Sequence, residues 1–311
     1  MSTQTAVILT DGKAGHENQS RACARALGFD GEVRLIPVRF RNRFCKALSY
    51  LLDQLGIRTT WLFEADTLEL PFGTVVIGTG SGTFYAAKAF ARNCVGKAVV
   101  VLYPRGYHLP SFDVIFAPKF DNPFPAPNVI PIPANLVAND ESFYSAGVAA
   151  FESRYRPQAG IKKVGVIIGG PNKCSTMTKG WAHQKLSQIF SAHQGAEFWV
   201  TTSRRTPPEV EAVVESFPWN YALLYSKDHF NPIPAFVKLC DVLYVSAEST
   251  GMLSEACTFG SSQVRVMDNL NPGPNKFRRF VENLAEGGYV GGTRKVDLSG
   301  EFASARRLLG L

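Results

Sequence analysis

Short apolar runs alternate with stretches of helical spacing along the whole chain. Residues 5–9 (TAVIL), 32–38, 74–77 (TVVI), 98–102, 113–116 and 128–132 read as strands. Between them, 17–27 closes at Gly28, 46–55 has helical spacing, and a further helix runs through Ala91. After a polar stretch at 154–160 the pattern restarts. Strands are expected at 164–168 (VGVII), 197–202, 222–225, 242–245 (VLYV) and 263–267, and helices at 179–192, 208–216, 233–239, 250–258 and 276–284. Strands apolar at every position are buried on both faces, which marks βαβ units in a parallel sheet.

The pattern predicts an α/β chain of two facing Rossmann-like domains with parallel sheets. The expected boundary gives 1–157 as the first domain and 158–311 as the second, with the last helix packing back on the first. Its 311 residues suit two domains of about 100–200 residues each. Ligands of such sheets sit at the carboxyl ends of the strands, so the cleft between the halves is the expected active site.

Composition narrows the picture. The chain is 45% hydrophobic and 19% charged, which excludes disorder as its main state, and no apolar run reaches the ~18–20 residues of a membrane helix. The first ten residues carry no basic leader and run into a strand, so no secretory signal is expected. The net charge of +7 favours anionic partners. Six cysteines without a C-x-x-C pair read as free thiols, and the five histidines lack metal-ligand spacing. Asp66, Asp113 and Asp121 have no second aspartate at D-x-D spacing, so no metal clamp is expected.

Five loops at strand ends carry the candidate chemistry. The first runs from Asp11 to Gln19 after the first strand. Gly12 and Gly15 let bare backbone approach a ligand, with Lys13 between them. His16 at the helix mouth suits a general base near neutral pH, while Asp11 or Glu17 can orient it or act instead. The second, Gly78-Thr-Gly-Ser-Gly82, resembles a dinucleotide fingerprint, but its third glycine comes one residue early and no acid ends the following strand. It reads as a cleft-lining loop, with Gly80 and Ser81 on the acceptor side. The third is Gly169-Gly170 with Asn172 and Lys173. In the fourth, Ser203, Arg204 and Arg205 precede a helix, and the arginines can neutralise a diphosphate. In the fifth, Ser246, Ser249 and Thr250 lie at a helix start that can hold a phosphate, and Glu255 on the same helix can take both ribose hydroxyls. Separately, Arg39, Arg41, Arg43 and Lys46 interleave with aromatics before an apolar helix. They can meet anionic lipid at about 1 kcal/mol per residue, or nucleic-acid phosphates. No recognisable nucleic-acid module is present, so nucleic acid is not expected as a partner.

The opening loop DGKAGHENQS, the segment TTSRRTPPE, the run DVLYVSAESTGMLSEA and the later NKFRRF resemble the mitochondrial fission ELM-type family, whose bacterial branch is treated as glycosyltransferases. That family is similar to GT-B glycosyltransferases, with an acceptor site in the first domain and a nucleotide-sugar site in the second. The resemblance implies a metal-independent transfer of a sugar from a nucleotide-sugar donor to an envelope glycan or glycolipid, as in lipopolysaccharide synthesis. It implies Glu255 as ribose contact, Ser249, Thr250 and Gly251 as phosphate contacts, and a base near His16; Gly170, read from its strand-end loop, is expected on the donor side with them. The only cofactor expected is the nucleotide-sugar co-substrate. The expected location is cytoplasmic, peripheral on the inner membrane face. A non-catalytic nucleotide-sugar-binding protein on the same fold is the alternative, and a sugar-nucleotide epimerase a further one.

Overall fold

The computed structural model describes residues 5–29, 31, 33–65 and 69–311. The expected readings at residues 1–4, Glu32 and Asp66 fall outside the described residues. The chain divides into two compact units, 1–138 with 297–311, and 139–296.

The first unit is built on a seven-stranded sheet of order β3-β2-β1-β4-β5-β6-β7. The strands are β1 (Ala6–Thr10), β2 (Arg34–Phe40), β3 (Phe63–Ala65), β4 (Val75–Thr79), β5 (Lys97–Val101), β6 (Val114–Pro118) and β7 (Val129–Ile132). All neighbours pair parallel except β3, a short antiparallel edge strand on β2. Successive residues of β1 and β4 enter opposite cores. Val7, Leu9 and Val76 pack on one face, and Ile8, Val75 and Ile77 on the other. Both faces are therefore covered, which is why these strands carry no polar alternation. The helices are α1 (Ala14–Ala26), α2 (Arg43–Gln54) and α3 (Phe84–Asn93). Buried in this unit, Asp53 of α2 bonds Lys88 of α3 at 2.7 and 2.9 Å and accepts from the His108 amide at 2.6 Å. Burial pulls the Lys88 ammonium down to about 8, against the opposing pull of Asp53.

The second unit has a five-stranded all-parallel sheet of order β10-β9-β8-β11-β12. Its strands are β8 (Lys163–Ile167), β9 (Glu197–Thr201), β10 (Tyr221–Leu223), β11 (Val242–Ser246) and β12 (Gln263–Met267). Its helices are α4 (Glu141–Glu152), α5 (Lys179–Ala192), α6 (Pro208–Glu215), α7 (Ile233–Leu239), α8 (Thr250–Phe259) and α9 (Lys276–Glu286).

The division falls nearly twenty residues before the expected boundary at 157, because α4 belongs to the second unit. Its Asp140 cap accepts from the Phe143 amide, and its Phe151 ring lies 4.9 Å from Trp199. Gly147 obscures this helix in sequence, since glycine weakens a helix interior. The packing needs it: a side-chain carbon there would sit 2.9 Å from Pro234 Cγ on α7. The last helix, α10 (Ser299–Leu309), packs on β6 and β7 of the first unit, with Phe302 4.8 Å from Phe116 and Arg306 bonded to the Leu27 carbonyl. All six cysteines are free thiols, five of them buried. Among the described residues no helix is long and apolar enough to cross a membrane.

Candidate functional site

Each sheet reverses its strand order once beside its first strand, between β1 and β4 in the first unit and between β8 and β11 in the second. Such switch points open a crevice at the strands' carboxyl ends.

In the first unit, the loops after β1 and β4 meet there. His16 Nδ1 lies 3.1 Å from both carboxylate oxygens of Asp11, and Lys13 Nζ lies 2.8 Å from Asp11 Oδ2. Burial works against the Asp11 charge, but the Lys13 hydrogen bond and the neighbouring His16 outweigh it and hold the carboxyl below its usual range. The glycine loop is the seat of this pair. A side chain on Gly80 would overlap His16 Cε1 and lie 2.7 Å from Nδ1, and one on Gly82 would lie 2.8 Å from Asp11 Cβ. The spacing that failed as a dinucleotide fingerprint thus has a different cause. Ser81 accepts from Lys46 Nζ at 3.1 Å. Gly12 and Gly15 have open space around them. Glu17 stands apart from the pair, bonded to Arg21 one turn along α1. A cavity of about 1150 Å³ opens beside Asp11, with Arg39, Arg41, Arg43, Lys46 and Trp61 among its walls.

In the second unit three strand-end loops are bonded together. Ser246 Oγ accepts from the Gly169 amide at 2.9 Å, and Glu248 Oε1 accepts from the Gly170 amide at 2.9 Å and from the Ser246 and Ser249 hydroxyls at 3.1 Å. Thr206 Oγ1 donates to the Gly169 carbonyl at 2.6 Å, joining the turn after β9. Ser203 belongs to that turn, its hydroxyl 3.2 Å from Thr206 Oγ1. Arg204 and Arg205 on the turn are exposed and form no ion pair among the described residues. Ser249 immediately precedes α8, which begins with Thr250 and an exposed Gly251, and its hydroxyl goes to Glu248 and makes no capping bond. Glu255 faces α4 and accepts from the Tyr144 hydroxyl at 2.9 Å. Burial pushes its carboxyl above the usual range, against the hydrogen bonds from Tyr144 and Asn139.

Two residues of this cluster escaped the sequence reading. Glu248 is buried, and its Oε2 has no hydrogen-bond partner. Asn269, two residues past β12, is buried with both Oδ1 and Nδ2 unpartnered. The backbone bond from the Ala247 amide to the Met267 carbonyl, 3.1 Å, sets these two strand ends side by side. The sequence signal for Glu248 was an acid between two serines directly after a buried strand. Asn269 gave none. No cluster of three or more His, Cys, Asp or Glu side chains suited to a metal ion occurs among the described residues.

Two Rossmann-like units with parallel sheets, each with polar loops at its switch point, define a fold of the GT-B kind. The family model described as Mitochondrial fission ELM1 matches residues 14–304, and the chain belongs to that family. Over 128 residues it is 30% identical to the uncharacterized protein RP120 of Rickettsia prowazekii; that match spans 39% of this chain and only 36% of the relative's length. The UDP-GlcNAc 2-epimerase of Methanocaldococcus jannaschii aligns over 99% of both chains with a TM-score of 0.52 and 12% identity. The UDP-GlcNAc 2-epimerase of Neisseria meningitidis, bound to UDP-GlcNAc, aligns over 98% of both chains with a TM-score of 0.50 and 12% identity. At these identities the likeness is one of fold.

Proposed function

We propose that the chain is a metal-independent, nucleotide-sugar-dependent glycosyltransferase. The donor site lies in the second unit, and a glycan or glycolipid acceptor is activated in the first. The observation that carries this reading is the set of three buried, unpartnered polar atoms at the strand ends of the second unit, Glu248 Oε2 and both side-chain heads of Asn269. Buried polar groups are almost always paired, and an unpaired one costs about 1–3 kcal/mol. A nucleotide sugar supplies what they lack: hydroxyls to donate to Glu248, and donors and acceptors for Asn269. The start of α8 offers free amides to a phosphate, and Arg204 and Arg205 bring charge for the departing diphosphate.

The chemistry then divides between the units. Asp11 holds His16 through Nδ1, which leaves Nε2 free to accept a proton. An acceptor hydroxyl attacks the anomeric carbon, and its proton passes to His16 Nε2. The bond from that carbon to the diphosphate oxygen breaks, and the nucleoside diphosphate leaves with the electron pair. This is an inverting transfer, with Asp11 as the positioning residue.

A thermal-shift panel of nucleotide sugars, followed by NMR of each that binds, tests the reading. One nucleotide sugar raises Tm, the shift is lost in Glu248→Ala, and nucleoside diphosphate is released slowly to water. His16→Ala slows that release about 10²–10⁴-fold while the Tm shift persists. Binding with no release, or release untouched by His16→Ala, points to the non-catalytic alternative. Conversion of UDP-GlcNAc to its 2-epimer without an acceptor replaces transfer by epimerisation.

A further inference from the structure

Helix α2 carries apolar side chains on two faces. Toward the core it buries Cys45, Ser49 and Asp53 and packs Leu48, Tyr50 and Leu52. Its opposite face is apolar and bare: Phe44, Leu51 and Leu55 just past its end are 72%, 57% and 63% exposed. At about 100° per residue these three fall within roughly 40° of one another, so they form a single stripe. Ile57 and Trp61, in the segment that follows the helix, are exposed as well, Trp61 at 63%. Scattered exposed apolar side chains need no explanation, but a second apolar stripe left bare on a helix whose core face is already packed does.

Basic charge rims the stripe. Arg39, Arg41 and Arg43 are exposed and have no carboxylate partner among the described residues. Arg41 Nε donates to the Trp61 carbonyl at 2.7 Å, which ties the rim to the apolar surface. The acid of α2, Asp53, is buried against Lys88, and the exposed acid nearby is Glu64, opposite Arg39 in the β2–β3 pairing. Lys46 is not part of the rim: it is half-buried and reaches Ser81.

We propose that this face docks on an anionic lipid surface, with Phe44, Leu51, Leu55 and Trp61 entering the headgroup region and Arg39, Arg41 and Arg43 meeting lipid phosphates. Apolar area plus basic charge is the combination that binds a helix flat at such an interface. A second copy fits less well, because a two-fold interface sets the same patch against itself and brings the arginines of both copies together. The proposal stands whether or not the chain transfers a sugar. Its consequence for the site is direct: the cavity beside Asp11 shares Arg39, Arg41, Arg43 and Trp61 with the docking face, so it opens at the lipid surface.

Co-sedimentation with vesicles is the test, using phosphatidylcholine alone and a mixture with about one third phosphatidylglycerol. The full chain pellets with the mixed vesicles at low salt, at least tenfold more than with phosphatidylcholine, and less as salt rises. Phe44→Ser/Leu51→Ser/Leu55→Ser loses most of that binding with an unchanged melting curve. Should the triple variant misfold, Arg39→Gln/Arg43→Gln serves instead and flattens the salt dependence. Quenching by brominated lipid, compared between wild type and Trp61→Phe, reads insertion of Trp61. No pelleting with the anionic vesicles at low salt, or equal pelleting of every folded variant, overturns the proposal. So does a dimer by analytical ultracentrifugation that the triple variant abolishes.

Discussion

Replacing Gly80 by alanine tests whether the glycine loop exists to seat His16. Two costs are separable. Gly80 has φ +83°, where a side chain costs about 1–2 kcal/mol of stability. Gly12 has φ +79° with nothing near it, so Gly12→Ala carries that cost alone. In Gly80→Ala the new carbon starts 2.7 Å from His16 Nδ1 and must retreat to the 3.4 Å of ordinary contact. The imidazole therefore moves by about 0.7 Å or more, which disturbs its 3.1 Å contacts to Asp11. Urea denaturation should cost Gly12→Ala about 1–2 kcal/mol, and Gly80→Ala that amount plus about 1 kcal/mol for the disturbed His16–Asp11 contact. Histidine-selective NMR separates them: Gly80→Ala shifts the His16 ring signals, and Gly12→Ala leaves them near wild type. If the proposed turnover is present, a displacement of this size costs it on the order of 10²-fold. Identical His16 ring signals in the two variants would refute the reasoning.

Asp53→Asn leaves Lys88 and Arg58 buried without their carboxylate and should lower stability by about 3–5 kcal/mol in urea; a loss under 1 kcal/mol would show the network to be incidental. Glu255→Gln keeps an acceptor for Tyr144 and removes the titration. Because burial raises the folded carboxyl above its ordinary 4.5, its stabilising contribution is full below that value and is lost as pH rises through the raised one. Wild type should therefore fall behind Glu255→Gln as pH rises from about 4, with a constant gap once Glu255 is ionised; parallel stability curves would remove Glu255 as a titrating group.

The sheets were legible because both of their faces are covered, so TVVI, VGVII and VLYV are apolar without interruption. The edge strand β3 was not, being three residues long and held by its pairing to β2. Helix α4 was hidden by Gly147, whose reason is a neighbour on α7 far along the chain. The site divides the same way. Asp11, His16, Ser246 and Ser249 sit in loops dense with polar residues and could be named from sequence. Glu248 could not, since its role rests on the amide of Gly170, 78 positions away. Glu17 and Glu255 show the converse: the sequence offered them as site residues beside the candidate loops, and their partners turn out to be Arg21 and Tyr144.

The return of α10 to the first unit has a consequence for synthesis. Residues 139–296 are contiguous, so the second unit can close as soon as it leaves the ribosome, whereas the first still lacks a helix. Until α10 arrives, the part of the β6–β7 face that it covers, Phe116 included, stays bare. At about 5–20 residues per second that interval lasts on the order of ten to thirty seconds. The unit that begins first is thus the one finished last, and its half-covered sheet is the surface a chaperone would meet during translation.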